Sequence, residues 1–212
     1  MYFYGDVDIE YFLKKIDEEY LSHFEKKDIN VIYEKQEPFN EMNVVEATYG
    51  ASAEEENQSY LAYSINCGDG GSPVDYFVLR IVSEYLVDSS EAPIGSALWT
   101  EDVGFDNYSW NNALNQNSFG VVAAYADPKD ADLLVEIVDS ALENVVIEGF
   151  DEEILYALVN VLELELRELA GEDNIKGLAI LEYVLNAKFY GAEPAAYLRF
   201  DSILDKLRKG VK

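Results

Sequence analysis

Apolar residues recur at helical spacing close to the start of the chain. Ile9, Phe12, Leu13, Ile16, Tyr20 and Phe24 fall on one helical face, with Asp8 placed as the N-cap. Residues 2–4, Tyr-Phe-Tyr, read as the end of a strand before it. A polar connector containing Pro38 follows over residues 26–42 and reads as an interdomain linker. Two runs, NVVEATYGA at 43–51 and QSYLAYSINC at 58–67, then read as strands joined by the acidic turn around Glu54, Glu55 and Glu56.

GDGGSP introduces the next helix, with Ser72 as N-cap and Pro73 at its first position. Its predicted apolar face is Val74, Phe77, Val78, Ile81, Val82, Tyr85 and Leu86. A short helix is expected at 93–101, and strands at 105–113 and 118–125. In DPKD, Asp127 caps and Pro128 opens a helix that turns Leu134, Ile137, Val138, Ala141 and Leu142 inward. Asp151 caps a long helix through Leu169, with Glu152 and Glu153 in its first turn. Two last helices are expected at 175–189 and 194–209. The order predicts an α+β fold: an antiparallel sheet covered by helices on one face, with extra C-terminal helices.

Composition narrows the partners. The 212 residues carry 42 Asp plus Glu against 15 Lys plus Arg, a net charge of −27. Such a surface repels phosphate backbones and anionic lipid, so neither nucleic acid nor membrane is an expected partner, and it attracts basic peptides. The single cysteine, Cys67, excludes an internal disulfide and fits a reducing compartment; its place in an apolar run predicts a small buried hydrophobe. The expected compartment is a bacterial cytoplasm or else an organelle matrix. The start has neither the basic nor the apolar region of a signal peptide.

No constellation in the chain carries catalysis. A zinc site of the H-E-x-x-H or H-x-x-E-H kind needs two histidines one helical turn apart, and the chain has only His23. A Ser-His-Asp or Cys-His pair would have to recruit the same residue. The glycine-rich GDGGS lacks P-loop spacing and a lysine, and reads as a turn. Glu165 and Glu168 share a helical neighbourhood with Glu163, but such positions are ordinarily surface ones rather than an acid–base pair.

The colinear phrases from 76 onward carry a family resemblance. Ala92-Pro93-Ile94-Gly95-Ser96-Ala97-Leu98, Val103-Gly104, Gly149-Phe150-Asp151-Glu152-Glu153 and Leu166-Arg167-Glu168 resemble the second domain of insulinase-type (pitrilysin-type) zinc metallopeptidases of the presequence-protease subfamily. Ala92 and Ile94 stand where that subfamily has Ser and Leu. Residues 176–209 are similar to its helical extension, and residues 3–26 to the closing strand and helix of the preceding catalytic domain.

The resemblance implies a division into 1–42, closing unit plus linker, and 43–212, a noncatalytic domain with helical extension. It places the zinc motif in the parent protein's first domain, so no catalytic or metal-binding residue, and no cofactor, is expected in this chain, which is predicted inactive alone. The implied partners are the catalytic domain of the same polypeptide and a peptide substrate, with this part forming some of the substrate chamber. By analogy with insulin-degrading relatives, a sheet edge within 104–120 is a candidate peptide site, with Asn107, Tyr108, Ser109 and Trp110 as candidate contacts. The alternatives are a stand-alone peptide-binding module using that edge and a hydrolase using a carboxylate pair.

Overall fold

The computed structural model describes residues 2–28, 34–50, 57–89, 91–113, 115–168 and 175–210. The acidic turn at Glu54, Glu55 and Glu56 and the predicted helix end at Leu169 lie outside them. Helix α1, Ile9–Glu19, forms as its cap predicts, the Tyr11 N–H donating to Asp8 Oδ1 at 3.0 Å. It contains no buried residue, and Ile9, Phe12, Leu13, Tyr20 and Phe24 are all exposed. Residues 2–4 do not form the predicted strand. Instead the Tyr4 ring lies on Gly177, where an added Cβ would come within 2.6 Å of Tyr4 Cδ1.

The sheet has three antiparallel strands in the order β1-β3-β2: β1 Ser59–Asp69, β2 Asp106–Ala113 and β3 Gln116–Ala126. The run at 43–50 is not a strand, which corrects the first of the two predicted pairs. One edge of β1 belongs to β3, and 43–50 does not ladder onto the other. Its link is the Tyr49 hydroxyl, which donates to the Gln58 carbonyl. Without a partner strand, Val44 and Val45 remain exposed.

One sheet face is covered. Leu61, Tyr63 and Ile65 of β1, and Phe119, Val121 and Ala123 of β3, pack against α3 (Pro93–Thr100), α4 (Ala131–Glu148) and the turn after α2. Leu98, Val103, Leu134 and Val138 fill that core. A second core joins α2 (Pro73–Ser83) to α5 (Glu152–Glu168), α6 (Lys176–Phe189) and α7 (Phe200–Gly210) through Phe77, Ile81, Val159, Leu166, Tyr197 and Leu204.

The predicted face of α2 is therefore split. The helix ends in a π-helical turn, Glu84–Asp88, whose extra residue per turn rotates the residues after it about the helix axis. Phe77 and Ile81 enter the second core while Leu86 and Val87 enter the first, and Val78 is left exposed. The caps hold as read: Asp75 N–H donates to Ser72 Oγ at 3.2 Å, and Glu153 and Ile154 N–H both donate to Asp151 Oδ1. Two boundaries move. Asp127 first caps a 3-10 turn, Pro128–Asp130, before α4 begins. Past Pro194 another 3-10 turn, Ala196–Leu198, buries Tyr197, so α7 starts at Phe200.

Candidate functional site

The β2–β3 hairpin and the uncovered face of the sheet hold the candidate contacts. Directly opposed residues of an antiparallel pair share a face. Tyr108 opposes Val122 and Trp110 opposes Gly120, whereas Asn107 opposes Ala123 and Ser109 opposes Val121. Alternation thus divides the four predicted residues. Asn107 and Ser109 lie on the covered side with the core residues Ala123 and Val121; Tyr108 and Trp110 lie on the open face.

On the covered side, the Ser109 N–H donates to Asp88 Oδ1 at 2.8 Å and the Ser109 hydroxyl to Asp88 Oδ2. The π-helical turn thereby occupies the outer edge of β2 at its centre, as folded proteins commonly protect a sheet edge. A strand added there would have to displace Asp88. Asn107 lines a cleft of about 500 Å³ with Asp88, Ser89, Gly95, Ser96 and Trp99. The Trp99 ring is exposed at its rim.

On the open face, the Trp110 indole lies directly on Gly120: an added Cβ at Gly120 would sit 2.0 Å from Nε1. Beyond it, aromatic rings run across the end of the sheet. Tyr49 and Tyr60 have centroids 6.0 Å apart, Tyr60 and Tyr125 5.6 Å, Tyr125 and Phe105 6.4 Å. Tyr125 has φ +56°, in the left-handed region, at the register shift between Ser59 and Tyr60; this turns its ring outward at the strand end. Sequence reading missed Tyr49, Tyr60, Phe105 and Tyr125 as a group because they come from separate segments. The signal was present only as a high tyrosine content.

Two tyrosines of β1 titrate late. The hydrogen bond that the Tyr60 hydroxyl donates to Tyr125 is the largest cause that pushes Tyr60 up to about 12, and burial, followed by the Tyr63–Asp139 hydrogen bond of 2.7 Å, does the same for Tyr63. Both raised values mean that the fold favours the protonated phenol. Their stabilising contribution is complete below the ordinary tyrosine value of 10.0 and is lost as pH rises towards about 12. Tyrosinate absorbance should therefore show a late-titrating fraction in the folded chain that vanishes in denaturant, with stability falling across the same interval. A titration curve identical in the folded and denatured chain would contradict this pairing.

The remaining candidate chemistry is tied up in structure. Glu163 accepts from Arg208 and Arg167, which hold its carboxyl below the usual carboxylate range, and Glu165 pairs with Arg80. Of the Glu165–Glu168 pair weighed from the sequence, Glu165 is thus held by Arg80. His23 is exposed in a 3-10 turn after α1. Cys67 is exposed near the end of β1, which corrects the expected burial: at the register shift between Asn66 and Asp69 the alternating inward positions stop at Ile65. Its thiol donates to the Ile65 carbonyl, and desolvation of the sulfur holds its pKa above the ordinary thiol value. In GDGGS, Gly68 and Asp69 end β1, which corrects the predicted turn, and residues 70–72 connect it to α2, with positive φ at Gly68 and Gly71 and Gly70 N–H donating to the Asn115 carbonyl at 2.9 Å. No group of three His, Cys, Asp or Glu among the described residues could hold a metal. No helix among them is long and apolar enough to cross a membrane.

Comparison with known proteins places this arrangement. Residues 1–162 match the family model described as the peptidase M16 inactive domain. Protein HypA of Clostridium perfringens is 27% identical over 214 residues, covering 100% of this chain and 22% of that protein. The mitochondrial presequence protease of Danio rerio is 24% identical over 215 residues, covering 99% of this chain and 21% of that protein. The chain thus spans about a fifth of the length of the curated relatives it matches.

Two solved structures share the fold. The inactive peptidase domain of a protein described as a zinc protease of Bordetella parapertussis superposes with a TM-score of 0.55 at 16% identity, covering 72% of this chain and 83% of that one. Pitrilysin superposes at 0.54 and 12% identity, covering 73% of this chain and 17% of that one. A sheet backed by helices on one face is therefore the family's arrangement as well as the sequence's expectation. The chain belongs to the peptidase M16 family, in its inactive-domain class.

Proposed function

We propose that this chain is the noncatalytic part of a zinc metallopeptidase that degrades peptides, in which it packs on the catalytic domain and forms part of the substrate chamber. The observation that carries the reading is the match to the inactive-domain model over residues 1–162, within relatives about five times longer. Zinc and the catalytic groups belong, on this reading, to the parent protein's other domain. Helix α1, with an apolar face that nothing described in this chain buries, supports assigning 1–42 to the closing unit of that domain and its linker, and 43–212 to the noncatalytic domain. The parent's compartment would be a bacterial cytoplasm or an organelle matrix.

Peptide contact would fall to Tyr108 and Trp110 on the open face, with Asn107 and Ser109 facing the cleft and Asp88. The stand-alone module that uses the β2 edge gains no support from the Asp88–Ser109 pairing, which occupies that edge.

The test is to read the coding DNA on both sides of this segment and to assay the 212-residue chain for peptidase activity with added zinc. An in-frame domain bearing H-x-x-E-H upstream, together with no turnover by the chain alone, is the expected result. Chelator-sensitive turnover by the chain itself, or no such domain in frame, would overturn the proposal.

A further inference from the structure

The open face of the sheet is chemically one-sided. Strands β1, β2 and β3 contain no lysine or arginine. Asp106 and Tyr60 both oppose Ala124 and therefore share that face. The Asp106 carboxylate accepts from the Asn107 N–H at 2.9 Å and has no ion pair among the described residues. The floor of the face is made of small residues, Ala62 and Ser64 of β1 and Gly120, Val122 and Ala124 of β3; the Trp110 indole covers Gly120, and Val122 and Ala124 are buried. Across the end of this floor run Tyr49, Tyr60, Tyr125 and Phe105, with Tyr108 beside them on β2, each between 42% and 76% exposed.

The spacing of the row has a counterpart. Its rings step by 6.0, 5.6 and 6.4 Å. An extended chain rises about 3.3 Å per residue, so side chains on one face of it repeat every ~6.6 Å. Phenol and phenyl faces attract ammonium and guanidinium groups as well as other rings. The setting is a protein of net charge −27, with the Asp106 carboxylate on the same face.

We propose that this aromatic row is a binding surface for an extended peptide segment with basic side chains at every second position, one basic side chain per ring, and aromatic side chains at the positions between them. The inference rests on the reading of this domain as a peptide-handling one, and adds to it the surface and the ligand chemistry. The ligand runs across the strand ends over the face of the sheet, without adding to either edge.

The experiment titrates the 212-residue chain with a fluorescent alternating Arg–Tyr octapeptide, with its Glu–Tyr counterpart, and with a peptide of the same composition whose arginines are grouped. The alternating basic peptide is expected to bind best, and more weakly as salt rises. Tyr60→Ala and Phe105→Ala should each weaken it about two- to fivefold, as loss of one exposed cation–π partner does, while Tyr60→Phe, which keeps the ring, retains binding. All variants are checked for an unchanged circular dichroism spectrum. Absence of binding, equal affinity for the Glu–Tyr peptide, equal affinity for the grouped peptide, or affinity unchanged in both alanine variants would each overturn the proposal. The flanking-DNA result is independent of these titrations, so failed binding beside an upstream H-x-x-E-H domain removes the surface and leaves the family role standing.

Discussion

Phe77→Ala is expected to destabilise the chain by about 3–5 kcal/mol, the range for truncating a fully buried aromatic residue. Phe77 has no exposed surface and is the ring around which the second core assembles. Its centroid lies 5.0 Å from that of Tyr76, 6.0 Å from Tyr183 and 6.4 Å from Tyr197. Truncation removes the apolar area together with these ring contacts, and the surrounding helices α2, α5, α6 and α7 cannot all close on the space. Since domains of this size are stable by about 5–15 kcal/mol, one such loss consumes a large share. The neighbouring Val78→Ala supplies the contrast. Val78 is 43% exposed, so its truncation should cost under about 1 kcal/mol. Urea unfolding of the two variants decides the point. Equal midpoints would mean that α2 presents the single continuous face its sequence suggests, and that the split between two cores is wrong.

Gly95→Ala should destabilise although it improves helix propensity. Gly95 lies inside α3, where alanine is favoured over glycine by about 0.5–1 kcal/mol. Against this, a Cβ at Gly95 would sit 2.3 Å from the Val87 carbonyl oxygen and 3.2 Å from Asn107 Oδ1. The first neighbour is backbone, held in the π-helical turn whose Leu86 and Val87 are buried in the first core, so it cannot swing aside as a side-chain tip could. Overpacking of this kind costs about 1–3 kcal/mol or more, which outweighs the propensity gain. The displacement is transmitted to Asp88 and thus to Ser109. Thermal unfolding of Gly95→Ala should therefore show a lowered midpoint, together with a changed environment for Trp99 in fluorescence. An unchanged or raised midpoint would show that α3 and the π-helical turn are not in close contact.

Much of the fold was legible because its signals are local. A cap needs only a side chain two or three residues from the N–H it accepts, so Asp8, Ser72 and Asp151 announced their helices correctly, and Asp127 announced the 3-10 turn that leads into α4. The strands at Asp106–Ala113 and Gln116–Ala126 were readable from their composition and intervening turn. The failures share one cause: each depended on what another segment supplied. NVVEATYG has strand composition but no ladder partner among the described residues. The apolar face of α1 has helical spacing but nothing described in this chain to cover it. Val78 fits the period of α2 but faces neither core, because Phe77 and Ile81 enter the second while Leu79 and Val82 pack against the first.

The candidate site shows the same division. That residues 107–110 form a strand was written in the sequence, and strict alternation came with it. Which two of the four would face Asp88 and the cleft, and which two the open sheet, was set by the pairing of β2 with β3 and by the turn packed beside it. The single histidine and the missing H-x-x-E-H pattern were decided by the sequence alone, since a ligand set cannot be built from residues a chain does not contain. The row of Tyr49, Tyr60, Tyr125 and Phe105 was decided only by the tertiary structure, because antiparallel pairing brings β1 beside β3 across some sixty residues of chain, and no one-dimensional period records a contact made at that separation.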